Sequence, residues 1–154
     1  MELAFIPEKR FMELALKLAL KAAAQGEIPV GAVVVRNGRV LGQGYNQRET
    51  LQNALAHAEM EAISQACLAL GSWRLTDCHL YVTLEPCPMC AGAAVNSHIS
   101  RIIYGADDFG VGCCGSAANC LSLPGAAKPE VFPGYMEEEC RNLLKDFFKK
   151  LRKK

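Results

Sequence analysis

Two short stretches of this chain carry side chains able to bind a metal and move a proton. The first is His57-Ala58-Glu59; the second is Pro86-Cys87-Pro88-Met89-Cys90. Together they offer one imidazole, two thiols and one carboxylate. Cys87 and Cys90 are three residues apart, so on a helix they project about 60° from one another and can chelate a single ion. His57 and Glu59 are two apart, about 200° in mid-helix, and cannot share a face there. They converge if the ion lies beyond a helix N-terminus, where first-turn side chains reach past the end.

Both stretches read as helix starts. Pro86 and Pro88 are tolerated only in a first turn or before it. Ala58, Met60, Ala62, Ile63 and Ala66 continue the other stretch as a helix. Two helix N-termini would aim positive partial charge at the ion, favouring thiolate over thiol and hydroxide over water. Three protein ligands and one solvent position make the catalytic pattern for zinc, whereas four protein ligands make the structural one. Glu59 then serves as a proton carrier, because H-x-E followed by P-C-x-x-C is the arrangement of zinc nucleobase deaminases. His79 and His98 lie away from either motif start. Cys113, Cys114 and Cys120 are expected to be buried or half-buried thiols, since adjacent cysteines chelate one tetrahedral ion poorly.

The elements that must position these stretches follow from hydrophobic periodicity. Residues 8–25 form an amphipathic helix with Phe11, Leu14, Ala15, Leu18 and Ala22 on one face, ended by Gly26. Val30 to Arg36 is a buried strand, Asn37-Gly38 a hairpin turn, and Val40 to Tyr45 the return strand. A polar loop, Gln47 to Asn53, leads into the helix of His57 and Glu59, which ends near Gly71. Trp73 is expected to cap the core under a loop. Cys78 to Leu84 is a strand feeding the helix from Cys87 to Ser97, and Arg101 to Gly105 is another. Residues 107–116 are a glycine-rich loop, in which Phe109 either stacks on a base or plugs the core locally. Leu121 to Gly134 is expected to be mostly irregular. Met136 to Leu151 closes the chain as a helix whose apolar stripe includes Cys140, Leu144, Phe147 and Phe148. Strands alternating with helices give an α/β layer fold.

With 154 residues and 51% apolar content the chain supports one domain, residues 1–154. It has no run of 18 apolar residues, and its start, with Glu2 and Glu8, has no basic region before an apolar one. Two of the eight cysteines belong to the metal motif, and the chain reads as cytoplasmic and reduced. The net charge of +1 conceals an asymmetry: Lys145 to Lys154 carries a net of +5 on a body of −4. Such an end suits a phosphate-bearing partner, although lysines also favour the C-terminal end of a helix.

The stretch Leu80-Tyr81-Val82-Thr83-Leu84-Glu85-Pro86-Cys87-Pro88-Met89-Cys90-Ala91-Gly92-Ala93 resembles the bacterial tRNA-specific adenosine deaminases, within the cytidine deaminase superfamily. So do Ile28 to Val33, His57-Ala58-Glu59, Gly115-Ser116 and the ending Asp146-Phe147-Phe148-Lys149, so that the likeness runs from about Phe11 to Arg152. The resemblance implies a three-layer α/β/α fold around a mixed sheet of about five strands. It implies hydrolytic deamination of adenosine to inosine at the wobble position of a tRNA anticodon, with one zinc on His57, Cys87 and Cys90. Glu59 is implied as the proton shuttle for attack by zinc-bound hydroxide. Asn46, which alone reads as an ordinary turn residue, is implied to hydrogen-bond the base. Asp107, Asp108 and Phe148 are implied to border the bound anticodon loop. Homodimerisation through the small-residue helix Ala91 to Ala94 is implied too, each active site being finished by the partner. Phe109-Gly110 stands where many members carry Pro-Lys. The competing readings are a small-molecule deaminase of guanine, cytosine or a nucleoside, with the same zinc chemistry, and a non-catalytic zinc module. The basic end argues against the first, and Glu59 against the second.

Overall fold

Alternate residues of one buried strand divide the interior into two cores. Ala32 and Val34 pack with Ala58, Ala62, Leu80, Val82 and Ile102. Val33 and Val35 pack with Phe11, Met12, Tyr81, Ile103 and Cys140 on the opposite side. This is the period of two that a strand imposes on its side chains. Each fully buried Leu, Ile or Val contributes about 1.5–3 kcal/mol relative to exposure.

The computed structural model describes residues 3–153; Glu2, and Lys154 of the basic end, lie outside them. In chain order the elements are α1 (Lys9–Ala24), β1 (Gly31–Arg36), β2 (Arg39–Tyr45), α2 (Arg48–Leu51), α3 (Ala58–Leu70), β3 (His79–Leu84), α4 (Pro88–Asn96), β4 (Arg101–Ala106), β5 (Glu130–Phe132) and α5 (Glu137–Arg152). The strand order is β2-β1-β3-β4-β5. β1 is antiparallel to both its neighbours, while β3, β4 and β5 run parallel. Helices α1 and α5 supply residues to one core, and α3 and α4 to the other. The fold is the three-layer α/β/α arrangement with a five-stranded mixed sheet that the resemblance implies.

This topology collects chain ends at one edge of the sheet. The start of β1 and the ends of β2, β3 and β4 all lie there, since Ala32 pairs with Val82 and Leu84 with Ala106. In open α/β sheets ligands bind beyond the carboxyl ends of the strands. The hairpin turn has φ of 50° at Asn37 and 76° at Gly38, as a two-residue loop of type I′ requires. Helix α3 is seated close on the backbone of β2 at two glycines. A Cβ on Gly44 would lie 2.5 Å from the Ala58 carbonyl oxygen, and one on Gly42 would lie 2.1 Å from that of Ala62. Glycine at these positions lets the helix start carrying His57 dock against the sheet backbone.

One sequence expectation is corrected and two are refined. Trp73 does not cap the core: it is 58% exposed, its ring tilted against His98 with the Arg74 guanidinium over its face. Leu75, fully buried, fills the core position nearby. Phe109 plugs nothing and is 76% exposed. The stretch from Leu121 to Gly134 is mostly irregular, as expected, but includes β5, a short edge strand paired with β4 and bounded by Pro129 and Pro133. Prolines belong at such an edge, where a missing N–H breaks no ladder bond. No helix among the described residues is long and apolar enough to cross a membrane.

Candidate metal centre and base pocket

His57 is the N-cap residue of α3, with Glu59 in the first turn, and Cys87 is the N-cap residue of α4. Pro88 opens α4, where its missing N–H would have no partner in any case. The two helix starts face each other. His57 Nδ1 lies 3.7 Å from Cys87 Sγ and 3.6 Å from Cys90 Sγ. With Zn–S of about 2.3 Å and Zn–N of about 2.0 Å, a tetrahedral angle separates nitrogen from sulfur by about 3.5 Å. The donor set therefore fits zinc in both chemistry and spacing. It is the only such group of three among the described residues. Cys113, Cys114 and Cys120 form no second centre of this kind; the first two are buried and Cys120 is half-buried.

A hydrogen bond from Cys90, together with the neighbouring His57, holds the Cys87 thiol down to about 4. The same hydrogen bond and burial push Cys90 up. The bond to Cys87 also raises His57. Glu59 is 4% exposed, and burial raises its carboxyl above the ordinary range. A carboxyl so placed can hold a proton and give it up, which a general acid/base must do.

A cavity of about 160 Å³ opens over these groups. Pockets for drug-sized ligands run to about 300 Å³ or more, so this smaller space suits a single heterocycle. Ile28, Val30, Leu84 and Val111 give it apolar lining, and Asn46, Arg48, His57, Glu59, Glu85, Cys87 and Asp108 give it polar groups. The Asn46 amide is fixed by the backbone: its Nδ2 donates to the Ile28 carbonyl at 3.2 Å, and its Oδ1 accepts from the Arg48 N–H at 3.3 Å. One N–H and one lone pair of that amide remain for a ligand. Asp108 lines the cavity while its carboxylate accepts the N–H groups of Gly110 and Val111. Asp107 stands off the cavity, accepting from the Tyr104 and Ser116 hydroxyls. Phe148, 41% exposed on α5 with its ring edge-on to Phe147, does not line it either.

Two buried carboxylates of this edge went unread in the sequence, Glu27 and Glu85, at 1% and 2% exposure. Both abut a buried strand at the same end of the sheet, and that position is the signal that could have found them. Glu85 accepts three backbone N–H groups from the loop of residues 107–116. Burial works to raise its carboxyl, but hydrogen bonds from Ser116, Asp108 and Cys114 outweigh it and hold the group below the ordinary value.

Glu27 accepts the N–H groups of Glu49 and Thr50 and so caps α2, next to Asn46. Burial again works against these bonds, and again the bonds win, so the folded carboxyl sits below 4.5. A depressed carboxyl stabilises the fold above its unfolded value, and that stability is lost as pH falls through the folded value. Glu27→Gln should therefore cost about 1–3 kcal/mol at neutral pH, the worth of charged hydrogen bonds, and progressively less below about pH 4.5. Urea unfolding of both proteins across pH measures this; a pH-independent difference would mean that charge is not what holds α2.

The family model for the cytidine and deoxycytidylate deaminase zinc-binding region matches residues 6–106. A tRNA-specific adenosine deaminase of Bacillus subtilis (strain 168) is 49% identical over 148 residues, covering 96% of this chain and 92% of that protein. A solved structure from work on A-to-I editing by tRNA:A34 deaminases superposes with a TM-score of 0.85 at 43% identity, covering 89% of this chain and all of that one. A guanine deaminase structure from Bacillus subtilis gives 0.62 at 38% identity over 66% of each chain.

Proposed function

This chain belongs to the cytidine and deoxycytidylate deaminase family, and from that premise we propose that it hydrolyses adenosine to inosine at the wobble position of a tRNA anticodon, releasing ammonia. The observation that carries the proposal is a cavity sized for one base, lined by Glu59 and by His57 and Cys87 of the three-residue metal group. The relatives' shared activity on tRNA supports it. An anticodon loop is single-stranded, so its base can be splayed into such a pocket at a modest unstacking cost.

His57, Cys87 and Cys90 would hold the zinc of this zinc-dependent hydrolase. When bound, zinc lowers the pKa of water and makes a nucleophile available at neutral pH. Glu59 takes the proton released as the C–O bond forms at carbon 6 of adenine, passes it to a ring nitrogen, and helps the amino group leave as ammonia. Asn46 reads the base edge with its free N–H and lone pair, and Ile28, Val30 and Leu84 exclude water beside it. Arg48 and Asp108, which line the cavity, are proposed as contacts for the flanking nucleotides, and Asp107 and Phe148, which do not line it, as contacts further out on the anticodon loop. The whole chain acts as one deaminase unit in the cytoplasm.

Homodimerisation through α4 is part of this reading. Ala91, Ala94 and Val95 face the core, but Gly92 is exposed with open space where a Cβ would stand, so a partner helix can approach closely. The partner then finishes each active site.

Lys145, Lys149, Lys150, Arg152 and Lys153 are exposed on or just past α5, with no carboxylate partner among the described residues. Truncation after Phe148 removes little packing, since Leu151 is 55% exposed. It should raise the Kd for an anticodon stem-loop about tenfold or more, and lower the salt slope by about 0.7 for every phosphate that the tail neutralises. Fluorescence anisotropy across a salt series reads both; an unchanged Kd and slope would remove the tail from the interface. Turnover itself is tested by detecting inosine at the wobble position of the stem-loop, with the same loop lacking that adenosine as the control.

A further inference from the structure

The loop of residues 107–116 forms one side of the cavity through Asp108 and Val111 and lies outside the named helices and strands. Cys113 and Cys114 anchor its far end in the core, and a buried side chain gathers the rest. Glu85 Oε1 accepts the Asp108 N–H at 3.0 Å, and Oε2 accepts the N–H groups of Cys114 at 3.0 Å and Ser116 at 3.1 Å. The loop wraps tightly around this carboxylate. A Cβ on Gly112 would lie 2.5 Å from the Glu85 carboxyl carbon and 2.4 Å from the Asp108 carbonyl oxygen. The Cys113 N–H donates to the Pro86 carbonyl at 2.9 Å, so the loop is also tied to the peptide just before Cys87.

We infer that Glu85 is a positioning residue: it fixes the 107–116 loop to the chain segment carrying Cys87 and thereby holds one wall of the base pocket in register with the metal ligands. Glu85 also lines the cavity, but both of its carboxylate oxygens accept backbone N–H groups, so we assign it to positioning and not to proton transfer. The inference rests on the reading that this cavity takes the substrate base. A carboxylate is needed because three N–H donors converge on it and an ionised carboxylate is an acceptor alone. Glu85→Gln would turn an NH₂ group towards at least one of those donors, and Glu85→Asp withdraws the carboxylate by one methylene.

The test compares zinc-loaded wild type with Glu85→Gln and Glu85→Asp. Zinc content should stay at one per chain. Amide hydrogen exchange at Asp108, Cys114 and Ser116 should quicken about tenfold or more, the worth of a charged hydrogen bond. KM should rise about tenfold or more while kcat stays within about threefold, because a loop competent for only a fraction of the time reduces apparent affinity by that fraction. Unchanged exchange at those amides would overturn the inference, as would faster exchange with an unchanged KM. A fall in kcat at constant KM would overturn it too, by placing Glu85 in the chemistry. Should neither variant fold, the wild type still decides: Asp108, Cys114 and Ser116 must exchange more slowly than the unbonded Phe109 amide, and equal rates would refute the clamp. The kinetic comparison uses whichever substrate the wild type turns over. A wild type active only on a free purine therefore refutes the tRNA reading and leaves the Glu85 comparison intact.

Discussion

Glu59→Gln binds zinc, folds as the wild type does, and loses about 10²–10⁴-fold or more in kcat, the range set by removing a general acid/base. The variant keeps the shape of a side chain that is 4% exposed. It also removes a carboxyl that burial already disfavours as an anion, so the fold has no reason to weaken. Zinc content, Tm and kcat measured together separate the two effects. Normal turnover would remove Glu59 from the mechanism. A loss of zinc alongside activity would show instead that the carboxylate supports the metal.

Cys90→Ala should lose zinc and, with it, stability. The thiol is fully buried and lies 3.6 Å from His57 Nδ1, and its loss leaves the ion only two protein ligands. An ion that binds only the folded chain stabilises it by about 4 kcal/mol at a free concentration a thousandfold above its Kd. For this chain length that is about 8–16 °C in Tm. Cys87→Ala and a chelator acting on the wild type should give the same result. A fully metallated Cys90→Ala protein with an unshifted Tm would overturn the ligand assignment.

Most of the architecture was legible in the sequence because buried strands and amphipathic helices leave periodic patterns. Asn37-Gly38, Gly71 and Pro88 marked boundaries because each meets a backbone demand, a positive φ in the first two and a helix first turn in the third. The metal group was legible for a different reason: two ligands three apart and an H-x-E stretch converge only at helix starts, and His57 and Cys87 are both N-cap residues. What escaped is tertiary. Helix α2 has four residues, too few for a periodic signal, and exists because Glu27, over twenty residues upstream, caps it. β5 has three residues and is defined by β4 alongside it, not by its own composition. Trp73 misled because a large aromatic is usually at least half buried, whereas here Leu75 takes the core. Glu85 stood in view beside the metal motif, but its three hydrogen-bond donors come from a loop more than twenty residues further on.

The most direct test of tRNA deamination is ammonia release by the purified zinc protein on two substrates in parallel. One is an arginine-tRNA anticodon stem-loop with adenosine at the wobble position; the other is a mixture of free adenosine, cytidine, guanine and cytosine. Turnover of the stem-loop alone is the expected result. Turnover of a free base or nucleoside alone would contradict it, moving the chain to the small-molecule deaminases and leaving its basic end as ordinary surface.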